Sequence, residues 1–591
     1  MASLMDYYRH VVNVWYGGSS RKFIEYAVSA IEKEFGRKNV FVLEAPTGYG
    51  KSAFSAAFSL YSVYEEFKSI VAFPLRALLE DQYSKFLKVF PRELIGRRYM
   101  HTAESPYLTF PVTLTTIDTL SLTVFGIAPE DLNKVLTKIS SYGTSYGSMG
   151  HYWYSWASVG LSNIVLDEAH LVADTTKSLN FLVALMDFVV RHDGKLVLMS
   201  ATLPKALKDA LLKNSKLYGK MEFINFEPGS EGYDEEFVEE RRKKKYHPIN
   251  VVPLRSEEKL ERIESWILEN KDKYDKVITV FNTVGDAIEF YNKIISNRDF
   301  EEFRKILLHS RFTEEDRKSK IDKLRKIVKE EKYIVVATQT IEAGVDISST
   351  LMISEAAPAN SLVQRFGRFL RYGEVEGKAY VWYEVDDEGK LKAREISGEK
   401  YYKVYNYELT DKTIEYIRKH SNMNFHVPQD YSELLNAVYT SFTVNHEDVE
   451  RMINIFLSYE RGSERAAEEF LRLEGSFVRE SLIIPAYPVD VLKRESIDDI
   501  VVTNIKVFNN RVVPVQYGFL KKYFSGIVVV ELDGELRIVK VENPDEVFRS
   551  PRSFLRYYYG FKHGSIMAFV VDAVYDSVLG LIPLPKSGGG A

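Results

Sequence analysis

Apolar positions along this chain fall mostly in short continuous runs that end in polar residues. Residues 40–43, 69–73, 112–117, 163–166 and 195–199 are such runs. Their polar tips are Glu44 to Ser52, Pro74-Leu75-Arg76, Thr115-Thr116 with Asp118, Asp167-Glu168-Ala169-His170 and Ser200-Ala201-Thr202. Strands apolar throughout, alternating with helical stretches such as 53–58, predict a parallel sheet covered on both faces. In such sheets ligands bind beyond the carboxyl ends of the strands, so the polar tips should converge.

The pattern then repeats. Runs at 276–281, 306–308, 333–337 and 351–353 end in Asn282-Thr283, His309-Ser310-Arg311, a stretch from Thr338 to Asp346, and Ser354-Glu355. Residues 228–248 separate the two sets. They hold a Gly-Ser-Glu-Gly linker and an acidic block (235–240) followed by a basic one (241–245), which reads as a solvated segment with internal ion pairs. Residues 1–38 read as helical and rich in aromatics. From 405 onward the pattern mixes helix (446–473) with strands (500–507, 526–532, 536–541) and a hairpin turn at Asp533-Gly534. The fold expectation is α/β, with two tandem parallel-sheet domains (1–235 and 236–404) and a C-terminal α+β accessory domain (405–591).

The chemistry begins at the first run. Glu44-Ala45-Pro46-Thr47-Gly48-Tyr49-Gly50-Lys51-Ser52 joins a strand to a helix. Strand, glycine loop, Gly-Lys-Ser and helix form the phosphate-loop arrangement. Thr47, Gly48, Tyr49 and Gly50 would cradle phosphates with backbone N–H groups at a helix N-terminus. Lys51 would reach the β- and γ-phosphates of ATP, and the Ser52 hydroxyl would bind Mg²⁺. Ala45 stands where the usual pattern has its first glycine. Asp167 is placed to hold Mg²⁺ and Glu168 to orient or deprotonate the attacking water. The second set of strands has no phosphate loop, so one nucleotide is expected to serve both domains. From the second domain, Gln364-Arg365-Phe366-Gly367-Arg368-Phe369-Leu370-Arg371 would contribute. Arg365, Arg368 and Arg371 recur at three-residue spacing, as on one helical face, and suit the charge of phosphoryl transfer.

Composition narrows the classes. With 591 residues the chain should hold about three domains at ~150–200 residues each. Zero cysteines exclude disulfides, cysteine–zinc sites, iron–sulfur clusters and thiol catalysis, and fit a heat-adapted source. No apolar run is long enough to span a membrane and the start is not a signal peptide, so a soluble cytoplasmic protein is expected. The net charge of −5 does not announce a nucleic-acid partner, although a basic groove would vanish in such a total. Aromatics among glycines at 142–156 read as packing under an insertion rather than as base-stacking rings. No glutamine precedes Lys51, so no adenine reader is assigned.

Taken in order, the tips at Ala45–Ser52, 74–82, 115–118, 167–170, 200–202, 282–283, 338–346 and 364–371 resemble the motif set of superfamily 2 helicases. The resemblance implies two RecA-like domains. Leu307 to Arg317, Glu355-Ala356-Ala357-Pro358, and Tyr575-Asp576-Ser577-Val578-Leu579-Gly580-Leu581 further resemble the CRISPR-associated helicase of type I interference systems. That family commonly carries an N-terminal HD nuclease domain. Only about 40 residues precede the phosphate loop, too few for a domain, so a stand-alone helicase subunit with a separate HD nuclease is expected. By resemblance, Pro74, Arg76, Thr116, Asn282, Thr338, Gln339 and Thr340 would line a channel for single-stranded DNA. Ser200 and Thr202 would couple hydrolysis to domain movement, and Gly344 and Asp346 would join the nucleotide site with Gln364, Arg368 and Arg371. Movement 3′ to 5′ and a Cascade-type surveillance complex as partner are also implied. Two other readings stay open: a general superfamily 2 DNA-repair or RNA helicase, and a non-catalytic nucleic-acid-binding assembly module.

Overall fold

The structure, a computed structural model, describes residues 2–99, 102–127, 132, 152–171, 175–214, 217–328, 332–342, 344–396, 398–458, 462–479, 482–490, 508, 510–561 and 564–585. The chain divides into two compact units. The first comprises residues 1–238, 439–481 and 555–560, and the second comprises 239–438, 482–554 and 561–591. The region from 405 onward is therefore shared between the two units and does not group as one body.

An eight-stranded sheet organises the first unit. Its strands are β1 (Val40–Glu44), β2 (Lys68–Phe73), β3 (Ile95–Tyr99), β4 (Thr102–Ala103), β5 (Val112–Thr116), β6 (Ser162–Leu166), β7 (Leu196–Ser200) and β8 (Met221–Asn225). They lie in the order β4-β3-β5-β2-β6-β7-β1-β8. Only the β3–β4 pair is antiparallel. Strands β1, β5, β6 and β7 are buried along their whole length, as expected of a parallel sheet covered on both faces. The parallel order sends the ends of β1, β7, β6, β2 and β5 to one edge in succession, so the motifs at their tips share that edge. Helices Leu4–Tyr16 and Lys22–Glu34 occupy the predicted N-terminal helical region. The first starts with a capping box between Ser3 and Asp6, which satisfies the free N–H groups of its first turn.

Helices His446–Phe456 and Gly462–Arg472 belong to this same unit. The Lys177 ammonium donates to the carbonyls of Leu473 (2.8 Å) and Arg479 (3.1 Å). The Asn180 side-chain oxygen accepts the Asn445 N–H at 2.9 Å. Trp156 Nε1 donates to the Phe456 carbonyl, and the ring meets Phe188 and His192 edge-on, so this member of the 142–156 aromatics is packed. Tyr154 is exposed. Positions 142–151 of that stretch lie outside the described residues.

The second unit carries a fully parallel six-stranded sheet. Its strands are β9 (Asn250–Leu254), β10 (Lys276–Val280), β11 (Arg304–Leu308), β12 (Tyr333–Ala337), β13 (Leu351–Glu355) and β14 (Lys378–Glu384), in the order β11-β12-β10-β13-β14-β9. Trp266 stacks on Tyr380 with ring centroids 4.4 Å apart, and Trp382 meets Phe281 edge-on, filling one face of the sheet. Burial of each such side chain contributes roughly 1.5–3 kcal/mol. Lys244, expected in a solvated basic block, is instead buried. Its ammonium donates to the Leu370 and Glu374 carbonyls, and burial lowers its pKa.

A five-stranded mixed sheet lies further along this unit, including Phe524–Leu532 and Glu535–Lys540 joined at Asp533-Gly534. Both turn residues have positive φ (54° and 84°), as the predicted hairpin turn requires. The strand expected at 500–507 lies outside the described residues. Strands β3, β4, β8, β9 and β14 are not among those the sequence pattern predicts.

A terminal hairpin, Ala573–Asp576 with Gly580–Pro583, fastens onto the end of β11. His309 stacks on Phe312, and its Nε2 lies 3.0 Å from the Leu579 carbonyl. Leu581 N–H donates to the Arg311 carbonyl at 2.9 Å. The Tyr575 hydroxyl accepts the Thr313 N–H (3.0 Å) and donates to the Asp316 carboxylate (2.5 Å). Two sequence signatures that lie far apart along the chain are thus one contact surface.

Candidate nucleotide site and the strand-end cluster of the second sheet

Helix Lys51–Tyr64 begins at Lys51, immediately after Gly50 at φ 98°. That backbone region suits glycine and lets the loop double back into the helix. The Lys51 ammonium is buried and donates to the Ala45 carbonyl at 2.8 Å. The loop therefore already holds its cation over the turn that would take phosphate. The Tyr49 ring is buried. Its hydroxyl accepts the Phe23 N–H and donates to Asp234, so this side chain braces the loop from behind rather than facing a ligand.

Asp167 and Glu168 follow β6, two strands away from β1 in the sheet. Burial pushes the Asp167 carboxyl well up, with the Glu168 charge adding to the effect and Lys51 opposing it. Glu168 has φ 51°, a strained value for a residue with a side chain. One of its carboxylate oxygens, Oε2, is buried and accepts no hydrogen bond. It lies 3.4 Å from His170 Nδ1, and burial keeps His170 neutral by lowering its pKa. A buried carboxylate oxygen without a donor costs free energy and suits a position reserved for water and a cation.

Between those strands stands β7, and its last residue touches both loops. The Ser200 carbonyl accepts the Ala45 N–H at 3.0 Å, and the Ser200 hydroxyl lies 3.0 Å from His170 Nδ1. Thr202 Oγ1 donates to the Ala201 carbonyl. The sequence assigns Glu44 no role beyond opening the loop stretch. Glu44 closes β1, is buried, accepts the Leu203 N–H and pairs with Lys208. A lone carboxylate ending an apolar strand was the available signal. The remaining first-unit candidates also sit at strand ends. Thr116 caps helix Ile117–Val124, Pro74 follows β2, and the Arg76 guanidinium lies over the Tyr99 ring at 4.5 Å.

In the second unit the arginines are arranged differently from the expectation of one helical face. The helix Ala359–Phe366 ends before Arg368 and Arg371. Phe366 and Phe369 are both buried, and Leu370, beyond the helix end, takes φ 49°. Arg368 donates to the carbonyls of Ile341 (3.1 Å) and Glu342 (2.9 Å). Arg371 pairs with Asp346 at 3.1 Å. Gln364 is buried, and Gly344 has φ 77°.

Arg365 is 0% exposed and uses every N–H it has. Nε donates to Glu342 (2.9 Å). Nη1 donates to the Ser354 hydroxyl (3.1 Å) and the Glu355 carbonyl (2.8 Å). Nη2 donates to Asn282 Oδ1 and the Tyr405 hydroxyl, both at 3.0 Å. A guanidinium has five N–H donors, so Arg365 has none left for a phosphate in this arrangement. Asn282 is equally committed. Its N–H donates to Glu355, its amide nitrogen donates to the Ala356 carbonyl, and its carbonyl accepts from Gln339. The Thr340 hydroxyl donates to the Leu308 carbonyl, and Thr338 is buried. Asn282, Thr338, Gln339 and Thr340 are therefore brought to one edge of this sheet, as their positions at the ends of β10 and β12 require.

Comparison with known proteins agrees with this geometry. Residues 25–210 match the DEAD/DEAH box helicase family, and residues 273–374 match the CRISPR-associated nuclease/helicase Cas3, C-terminal family. A putative CRISPR-associated nuclease/helicase Cas3 of Methanocaldococcus jannaschii is 28% identical over 447 residues, covering 70% of this chain and 54% of that protein. The chain thus spans about half the length of that relative. The crystal structure of T. fusca Cas3-AMPPNP superposes with a TM-score of 0.65 at 14% identity, covering 97% of this chain and 71% of that one. A chain of a CRISPR RNA-guided surveillance complex in a pre-nicking state gives 0.58 at 17% identity, covering 95% and 70%. No helix among the described residues is long and apolar enough to cross a membrane. By motif set, fold and these partial family matches, the chain resembles superfamily 2 helicases and, among them, the CRISPR-associated helicase Cas3.

Proposed function

We propose that the chain is an ATP-driven translocase on single-stranded DNA that moves 3′ to 5′ and opens target DNA in type I CRISPR interference. The observation that carries this reading is the unpartnered, buried Glu168 Oε2 beside Asp167, linked through His170 and Ser200 to the phosphate loop. A binding module has no use for a strained carboxylate reserved for water.

In this reading Thr47, Gly48, Gly50 and the helix N-terminus bind the triphosphate through backbone N–H groups. Lys51 leaves the Ala45 carbonyl for the β- and γ-phosphates. Ser52 and Asp167 would hold Mg²⁺, whose chemistry there is to neutralise charge on the transferring phosphoryl group. Displacing the proton that burial favours on Asp167 is part of that binding. Glu168 orients the attacking water and accepts its proton. Gln364, Arg368 and Arg371, with Gly344 and Asp346, are the proposed contribution of the second unit, the arginines stabilising charge developed on the γ-phosphoryl group. Ser200 and Thr202 pass the state of the phosphate loop to the Asp167–His170 loop. Pro74, Arg76, Thr116, Asn282, Thr338, Gln339 and Thr340 mark the strand-binding edges, where hydroxyl, amide and backbone groups suit phosphate contact without base reading.

The proposed partners are a Cascade-type surveillance complex and a separate HD nuclease subunit, in the cytoplasm. The solved relative within a surveillance complex supports the first. Strand separation on duplexes with a 3′ or a 5′ single-stranded tail, in ATP and Mg²⁺, tests the reading. Opening of the 3′-tailed DNA alone is expected. Equal opening of RNA duplexes would favour a general superfamily 2 helicase, and binding without hydrolysis would favour an assembly module.

A further inference from the structure

Three carboxylates of the second unit, Asp286, Glu355 and Glu384, offer oxygens within 4.8 Å of one another. Such a group would suit a cation, and the chain supplies its own. Lys259 donates to Asp286 and to Glu384, each at 2.6 Å. Lys403 donates to Glu384 at 2.5 Å and to Asp286 at 3.2 Å. The third member, Glu355, accepts the Tyr402 hydroxyl at 2.8 Å and the Asn282 N–H at 2.7 Å.

Three of these contacts come from one short turn. Strands Glu399–Tyr402 and Tyr405–Asn406 are joined by Lys403 and Val404. Tyr402 serves Glu355, Lys403 serves the other two carboxylates, and Tyr405 accepts from Arg365 Nη2. Lys403 sits at φ 56°, where glycine would be free of strain. A strained residue held by two ion pairs points to a constraint beyond simple chain reversal.

The turn grips both ends of one relay. Arg365 ties Asn282 at the end of β10 to Glu342, which follows β12, and to Ser354 and Glu355 at the end of β13. Glu355 ties the Asn282 backbone to Tyr402. These strand ends carry Asn282, Thr338, Gln339 and Thr340, the proposed strand-binding residues.

We propose that Tyr402, Lys403 and Tyr405 are positioning residues that set the strand-binding edge of the second sheet, so that hydrolysis is coupled to the DNA strand through the Arg365–Asn282 link. The inference rests on the ATP-driven motor reading given above. None of the three touches nucleotide or DNA in it. They act through Arg365, Glu355 and the paired carboxylates.

Tyr405→Phe is the mild test, because it deletes one hydroxyl and keeps the ring. Lys403→Met removes the cation at nearly constant length, and Lys403→Arg is the conservative rescue. The readouts are ATP hydrolysis with and without single-stranded DNA, the KM for ATP, and the melting temperature. Loss of a hydrogen bond to a charged group predicts a roughly tenfold fall in the stimulated-to-basal ratio for Tyr405→Phe. The same fall is expected for Lys403→Met, with recovery in Lys403→Arg. KM for ATP should stay at the wild-type value. A purely structural role would lower the melting temperature and leave that ratio unchanged, which would overturn the inference. Wild type without stimulation by DNA would overturn the motor reading and this inference with it. Stimulated wild type with unchanged variants would overturn the inference alone.

Discussion

The Tyr49 hydroxyl donates to the Asp234 carboxylate at 2.5 Å while accepting the Phe23 N–H at 3.2 Å. One ring in the phosphate loop is thereby fixed to helix Lys22–Glu34 and to the segment entering helix Glu235–Arg242. Asp234 also accepts the Phe237 N–H in that helix's first turn. Tyr49→Phe deletes the brace and keeps the buried ring. A hydrogen bond to a charged partner contributes ~1.5–3 kcal/mol to stability, so the melting temperature is expected to fall and the KM for ATP to rise roughly tenfold as the loop loosens. An unchanged KM would show that the loop keeps its shape without Asp234.

The terminal hairpin predicts an effect of backbone geometry. Gly580 has φ 77°, and an added Cβ would lie 2.5 Å from the Arg311 carbonyl and 2.6 Å from His309 Cε1. Both the backbone angle and the carbonyl contact oppose any side chain. Gly580→Ala should destabilise the second unit by about 2 kcal/mol or more, read as a lower denaturant midpoint. Tyr575→Phe should cost about 1–2 kcal/mol by removing the bridge to Thr313 and Asp316.

His309 supplies a pH dependence. Its Nδ1 accepts the Arg311 N–H and Nε2–H donates to Leu579, so the bonded ring is neutral. Burial lowers its pKa from 6.5 to about 3. The unfolded chain binds the proton first. Stability from this group is therefore complete above pH 6.5 and falls as pH drops toward 3. The slope approaches about 1.4 kcal/mol per pH unit. His309→Gln should flatten the fall in denaturant midpoint between about pH 6 and pH 4 by up to that slope. Parallel wild-type and variant curves would refute the assignment.

Asp118 and Arg479 form a two-pronged ion pair with side chains 32% and 39% exposed. It joins the start of helix Ile117–Val124 to the segment after helix Gly462–Arg472 within the first unit. Such exposure limits the pair to about 1 kcal/mol. A double-mutant cycle of Asp118→Asn with Arg479→Gln, read by denaturation, should return a coupling of about that size.

The sheet strands that carry motifs were legible because their signal is local. An apolar run closed by a polar tip is visible in ten residues, and β1, β2, β5, β6, β7 and β10 to β13 all formed where that pattern fell. Strands β3 and β9 gave no such signal, since β3 is Ile-Gly-Arg-Arg-Tyr and β9 contains Pro253. Both were hidden by residues that local propensity disfavours in strands. The three-residue spacing suggests that Arg365 shares one helical face with Arg368 and Arg371. The partners of Arg365 lie up to 83 positions away, and only their convergence reveals that all its donors are spent. The hydrogen bond from Thr313 to Tyr575 spans 262 positions. Two signatures could be quoted from the sequence, but not that they touch. The C-terminal third divided for the same reason, because the anchors of helices His446–Phe456 and Gly462–Arg472, such as Lys177 and Asn180, lie in the first sheet's own segment.

Steady-state ATP hydrolysis by wild type and Glu168→Gln, with and without single-stranded DNA, tests the central claim most directly. Glu168→Gln keeps the shape of the side chain and removes the carboxylate whose Oε2 accepts no hydrogen bond. The account predicts hydrolysis strongly stimulated by DNA in wild type and a fall of roughly 10²-fold or more in Glu168→Gln, consistent with loss of a general base. ATP binding should be retained. Hydrolysis that persists in Glu168→Gln, or a wild type that binds ATP and never hydrolyses it, would contradict the account.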